Sequence, residues 1–227
     1  MAEAVATYTA ARVRAAERPL IDAGEPLMRR AAAALAHIAA EELGPDGWRV
    51  LVLAGSGDNG GDALFAGAHL AAFGEVDLFL TSDRFHEAAL AEAVGADART
   101  IDLPDVAAAA ADYDLILDGM LGIGASGALR GTARSVVEAL LPAVRAGRPR
   151  VIAVDLPSGV NPDDGSSDGV VLPASITVTF GAVKAGLVRG SGPGLSGRVV
   201  LVDLGLGPAL ADVESSGEAS VAAVVQG

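Results

Sequence analysis

The run Arg49-Val-Leu-Val-Leu-Ala54 has no polar alternation, so a strand made from it must bury both faces. It leads directly into Gly55-Ser-Gly-Asp-Asn-Gly-Gly-Asp62 and then into an Ala-rich helical stretch from about Ala63 to Phe73. The same order of apolar run, Gly- or Asp-bearing turn and helix recurs along the chain. Strands are predicted at Glu75–Thr81, Arg99–Leu103, Leu115–Met120, Arg150–Leu156, Ser175–Phe180 and Val199–Leu204. Helices are predicted at Ala88–Val94, Val106–Ala111 and Thr132–Ala146, after a helical stretch Thr9–Leu43 that breaks around Ile21–Gly24. Such alternation predicts a three-layer α-β-α Rossmann-like fold with a mostly parallel sheet.

At 227 residues the chain suits one large α/β domain, predicted over 1–207. Residues 208–227, containing Ser, Gly and Glu, read as a flexible tail or a linker to something further on. Aromatic residues are only 4% of the chain, so the core is built from Ala, Val, Leu and Ile. The absence of cysteine excludes disulfides and thiolate chemistry and accords with a reducing cytoplasm. No signal-peptide pattern opens the sequence, and the apolar run Ala31–Ala40 is too short to span a bilayer. A net charge of −13 argues against nucleic acid or an anionic membrane as partner.

Four segments carry chemistry. In Gly55–Asp62, glycines admit a ligand close to the backbone, and the following helix start offers free N–H groups to an anion. The alternative is a tight turn with Asp62 as helix cap. Asp118-Gly-Met-Leu-Gly-Ile-Gly124 places a carboxylate near the end of a buried strand, costly unless paired or coordinated, or else tied to its own loop. Asp155-Leu-Pro-Ser-Gly159 closes a third apolar strand in the same way. Three such ends converge on one crevice at the carboxyl edge of an open sheet. Finally, Lys184 is the single lysine beside fifteen arginines. A chain that elsewhere uses Arg for its cations keeps a Lys where a compact charge with a tunable pKa is needed. His37, His69 and His86 have no metal-ligand spacing, and Ser158 lacks the Gly-x-Ser-x-Gly setting of a nucleophile elbow.

Taken in order, Gly55–Asp62, Asp118–Gly124, Leu129-Arg-Gly131, Val154–Gly159, Thr179–Leu187 and Val199–Gly205 resemble the NAD(P)H-hydrate epimerases, also called the YjeF N-terminal domain. Arg14-Ala-Ala-Glu17 and Gly24–Ala31 look like that family's opening helices. Asp58 stands where the family usually has Asn, and Ala63 where it usually has Gly. The resemblance implies a metabolite-repair enzyme that interconverts the R and S forms of hydrated NADH or NADPH, so that a partner dehydratase can restore the coenzyme. It implies coenzyme binding by Asp58, Asn59, Gly60, Gly61, Asp62, Gly122, Ile123, Gly124, Ala125, Ser126, Gly127, Ala128 and Asp155. It also implies a potassium ion on Asn59, Asp118 and Ser158, and a homodimer. Arg130 is a further candidate for phosphate contact. Asp155 and Lys184 are the expected proton-handling pair. An NAD-dependent dehydrogenase is the rival enzyme reading, against which stand the missing GxGxxG and the missing acidic ribose hook. A non-catalytic scaffold is the other rival, yet Asn59, Asp62, Asp118, Asp155 and Lys184 are all retained.

Overall fold

A computed structural model describes residues 3–45, 47–124 and 127–227. In chain order its elements are β1 (Glu3–Tyr8), α1 (Ala10–Asp22), α2 (Leu27–Leu43), β2 (Arg49–Ala54), α3 (Asp58–Ala71), β3 (Glu75–Leu80), α4 (Glu87–Gly95), β4 (Arg99–Thr100), α5 (Leu103–Ala108), β5 (Leu115–Gly119) and α6 (Gly131–Arg145). They continue with β6 (Arg150–Val154), β7 (Ile176–Phe180), β8 (Val183–Lys184), a 3-10 turn (Ala185–Val188), α7 (Gly192–Leu195), β9 (Arg198–Asp203), α8 (Gly207–Leu210), β10 (Gly217–Val221) and β11 (Ala223–Gln226).

Eight strands form the main sheet in the order β11-β9-β7-β6-β5-β2-β3-β4, every neighbouring pair parallel. The alternating side chains of β2 explain the layers. Val50, Val52 and Ala54 face a core shared with α2, α3 and α4, while Leu51 and Leu53 face one shared with α5 and α6. Two apolar layers on a continuous Val/Leu strand are what a doubly covered sheet requires. Among the described residues no helix is long and apolar enough to cross a membrane.

Three expectations need correction. Helix α3 begins at Asp58 rather than Ala63, so Asp62 lies inside its first turns and Gly57 is the N-cap. Gly60 is tolerated there because its backbone passes Gly55 so closely that a Cβ would sit 2.1 Å from the Gly55 carbonyl oxygen. Strand β4 ends at Thr100, because the Asp102 side chain accepts the Asp105 N–H (3.0 Å) and starts α5 at Leu103. The third concerns the expected tail, 208–227, which supplies two strands. β11 extends the main sheet beside β9, and β10 pairs antiparallel with β1. β1, which sequence reading passed over, also pairs in parallel with β8, so a small sheet β10-β1-β8 stands beside the large one.

Candidate functional site

The site is built at the carboxyl ends of β6, β5 and β2, which are adjacent in the sheet. Close backbone approach brings their loops together. A Cβ on Gly55 would lie 1.8 Å from the Met120 carbonyl oxygen, and one on Gly119 would lie 2.4 Å from the Ala63 Cβ. Gly122 rests against the Asn59 side chain in the same way, with 3.1 Å from a notional Cβ to Asn59 Oδ1. The loop after β5 therefore lies on the first turn of α3.

Beneath that loop is a cluster of oxygens. Asp118 is wholly buried and accepts from the Ser158 N–H (2.9 Å), the Ser158 hydroxyl (2.6 Å) and, longer, the Met120 N–H (3.4 Å). Burial pushes its carboxyl up, and the Ser158 and Met120 hydrogen bonds oppose the rise. No cationic side chain pairs with it among the described residues. The Ser158 hydroxyl also accepts from the Leu121 N–H (2.9 Å), and the Leu121 carbonyl oxygen lies 3.4 Å from it. The Asn59 amide nitrogen is buried without a partner. The Asp118 carboxylate, Ser158 hydroxyl and Leu121 carbonyl oxygens suit a hard cation better than zinc. Among the described residues no three His, Cys, Asp or Glu side chains gather as a metal-binding group, and the three histidines stay apart.

Asp155 follows β6 directly and has a left-handed backbone (φ 67°), uncommon for a residue other than glycine. Its N–H is held by the Val178 carbonyl at 2.7 Å. Oδ1 accepts from the Thr179 hydroxyl and the Phe180 N–H, each at 3.2 Å, and from the ammonium of Lys184. Lys184 is 1% exposed, and its remaining donors go to the Phe180 carbonyl (2.7 Å) and the Thr179 hydroxyl (3.3 Å). The lysine thus sits behind Asp155, fixing it.

Above these groups opens a cavity of about 880 Å³. Asp58, Asn59, Asp62, Gly122, Ile123, Gly124 and Asp155 line it. Gly60 and Gly61 lie behind its wall, packed on Gly55 and on Met28 and His86. Gly127 and Ala128 are away from the lining, and Ala125 and Ser126 lie outside the described residues. Arg130 is exposed and also off the wall, at the N-cap position of α6. The cations that do line the cavity are Arg14 and Arg29. The Arg29 guanidinium lies over the Phe65 ring (3.7 Å to the centroid) and pairs with Glu92 at 2.6 Å. His86 meets Phe65 edge-on and caps α4, its Nδ1 accepting from the Ala89 N–H (3.1 Å).

Two carboxyls on the wall are electrostatically out of the ordinary. Asp62 is 8% exposed, and its Oδ1 is buried without a partner. Burial holds its pKa well above the usual aspartate range, the charges of Asp155, Asp58 and Glu17 add to this, and Lys184 opposes it. Glu17, on α1, is also raised, chiefly by burial; Lys184 and Arg14 pull it down, while Asp155 and Asp58 push it up. Sequence reading gave Glu17 no role. The spacing Arg14-Ala-Ala-Glu17, two charges one helical turn apart among alanines, was the available signal.

The family model "YjeF-related protein N-terminus" matches residues 24–186. A protein of Microbacterium testaceum called NAD(P)H-hydrate epimerase is 62% identical over 211 residues, covering 92% of this chain and 82% of that one. A Clavibacter michiganensis protein of the same description is 56% identical, covering 88% and 90%. The Bifunctional NAD(P)H-hydrate repair enzyme Nnr of Mycobacterium tuberculosis is 41% identical over 91% of this chain but only 43% of its own length. The crystal structure of yeast ynu0 superposes with a TM-score of 0.72 at 19% identity, covering 81% of this chain and 84% of that one, a likeness of fold.

Proposed function

The chain belongs to the YjeF-related N-terminal family, and on that premise we propose how its cavity works. The protein is an epimerase of hydrated NAD(P)H, an isomerase that interconverts the R and S forms of the damaged coenzyme. The observation that carries the mechanism is the Asp155–Lys184 ion pair, with the carboxylate on the cavity wall and the ammonium behind it.

At the hydrated ring carbon a hydroxyl and the ring nitrogen share one centre. The nitrogen lone pair can expel the hydroxyl, or the ring can open; each route gives a planar carbon that re-forms from either face. Both routes need a group that takes a proton near that carbon. Asp155 is our choice. Lys184, Thr179 and the Phe180 N–H fix its Oδ1, and no bond to Oδ2 is formed among the described residues, which leaves that oxygen for the ligand. Lys184 is then a positioning residue that keeps the carboxylate in place and aimed. The first turn of α3, with Asp58, Asn59 and Asp62, and the loop Gly122–Gly124 would cradle the coenzyme, with Arg14 beside its phosphates.

We further propose a potassium ion held by Asn59, Asp118 and Ser158. A buried carboxylate without a cationic partner, with the Ser158 hydroxyl and Leu121 carbonyl oxygens beside it, supports such an ion. When bound it would supply fixed positive charge beneath the loop that meets the coenzyme. We also propose a cytoplasmic location, in keeping with the absence of cysteine. A homodimer is the proposed assembly, the commonest closed symmetry. A dehydratase is the proposed functional partner, supported by the bifunctional repair enzymes among the relatives.

Pure R-form hydrated NADH, incubated with the protein in potassium buffer and followed by chromatography, should yield the S form far faster than the spontaneous reaction. Asp155→Asn, folded as judged by circular dichroism, should lose roughly 10²–10⁴-fold of that rate. Unchanged activity in this variant would refute the assignment of the base.

A further inference from the structure

Epimerisation by way of a planar carbon needs a proton donor as well as an acceptor, and the pair described above supplies only the acceptor. Lys184 has its donors committed to Asp155, Thr179 and Phe180 and does not line the cavity. The donor must therefore stand elsewhere on the wall.

Four other carboxyls line it: Glu17, Glu25, Asp58 and Asp62. Glu25 and Asp58 are exposed to water. Asp62 is 8% exposed, held by the first turns of α3, and one of its oxygens is buried without a partner. Glu17 is half-buried, makes no side-chain hydrogen bond or ion pair among the described residues, and carries the longer and freer side chain. It also lies close enough to Asp155 and Lys184 for both charges to act on it.

We propose that Glu17 is the catalytic acid of the epimerase, sharing the cavity with Asp155 as the other half of a donor–acceptor pair. The proposal rests on the epimerase reading. As the carbon–oxygen bond breaks, the ring nitrogen's lone pair forms a carbon–nitrogen double bond, and the oxygen takes the Glu17 proton and departs as water. Water then adds to the opposite face and gives a proton to Asp155. The enzyme is left with Glu17 bare and Asp155 protonated, the form suited to the reverse direction, until exchange with solvent resets it. Two carboxyls with opposite tasks work together only if their surroundings separate them. Asp155 has an ammonium against it. Glu17 has burial and the carboxylates of Asp155 and Asp58 raising its pKa, against Lys184 and Arg14, with Asp62 facing it from α3.

A donor with a raised pKa is competent below it and lost as pH rises through it, so kcat in the wild type should fall on the alkaline side. The test is kcat and KM across pH, at constant potassium, for wild type, Glu17→Gln, Glu17→Asp and Asp62→Asn, with circular dichroism for folding. Glu17→Gln should lower kcat roughly 100-fold or more, leave KM within a few-fold, and abolish the alkaline limb. Glu17→Asp should recover part of the rate with the limb restored. Full activity and an unchanged profile in folded Glu17→Gln would overturn the proposal. So would a KM rise at constant kcat, or loss of the limb in Asp62→Asn alone. A wild type that gives no acceleration overturns the epimerase reading, and this proposal with it.

Discussion

The two ends of the parallel sheet each bury an aspartate beside cations, and they do so differently. At the amino end Asp77 is wholly buried on β3, and both its oxygens are filled. Arg49 donates twice to Oδ2 (3.1 and 2.7 Å), Arg99 twice to Oδ1 (3.1 and 3.0 Å), and the Tyr113 hydroxyl once to Oδ2 (2.9 Å). Arg49 also stacks on the Tyr113 ring. A hollow of about 460 Å³ adjoins this cluster, but its two arginines are already spent on Asp77. At the carboxyl end Asp155 is bonded through one oxygen, Asp62 has an oxygen with no partner, and Glu17 has no partner at all among the described residues. A saturated carboxylate is a clamp between strands. One left incomplete on a cavity wall keeps bonding capacity for a ligand.

Lys184→Met should give the largest effect, a loss of roughly 10²–10⁴-fold in kcat with KM much less changed, because the misaligned carboxylate acts mainly on the transition state. A variant that only melts earlier, with kcat intact, would make the two ends alike. Asp77→Ala should destabilise the fold by about 3 kcal/mol, the lower part of the range for broken buried pairs, since both arginines reach water. Its kcat per folded molecule should stay within about twofold. Denaturant unfolding and active-site titration measure the two quantities separately. Tyr113→Phe, which removes one of five bonds to Asp77, should cost roughly 1 kcal/mol by the same unfolding measurement and leave kcat untouched.

What the sequence shows clearly is whatever a local pattern determines. β2 matches its predicted span because an unbroken Val/Leu run suits only a strand covered on both sides, and α6 lies within one residue of its prediction at each end. Asp118 and Asp155 were conspicuous as acids at the ends of apolar strands, and Lys184 by being the single lysine. The start of α3 was misjudged because glycines at 60 and 61 argue locally for a loop, whereas tight packing on the β2 and β5 loops demands them within a helix. β10 and β11 were missed because short runs set among Ser, Gly and Glu become strands only by pairing with distant ones. The Arg14–Glu17 spacing marks Glu17 but does not say where it sits. Nothing near it in sequence states that α1 reaches the carboxyl edge of a sheet whose first strand begins at Arg49.

The pairing of β1 with both β8 and β10 has a temporal side. Tyr8 is the register partner of Lys184, and Thr7 that of Gly217. On a ribosome adding 5–20 residues per second, the segment Glu3–Tyr8 waits on the order of 10–40 s for its last partner to be made. During that wait β2 and β3 can associate, and Lys184, once made, meets bonding partners that all precede it in the chain, Asp155, Thr179 and Phe180. Asp155 and the lysine that fixes it can therefore be joined before the strand that completes the small sheet, β10, has been made.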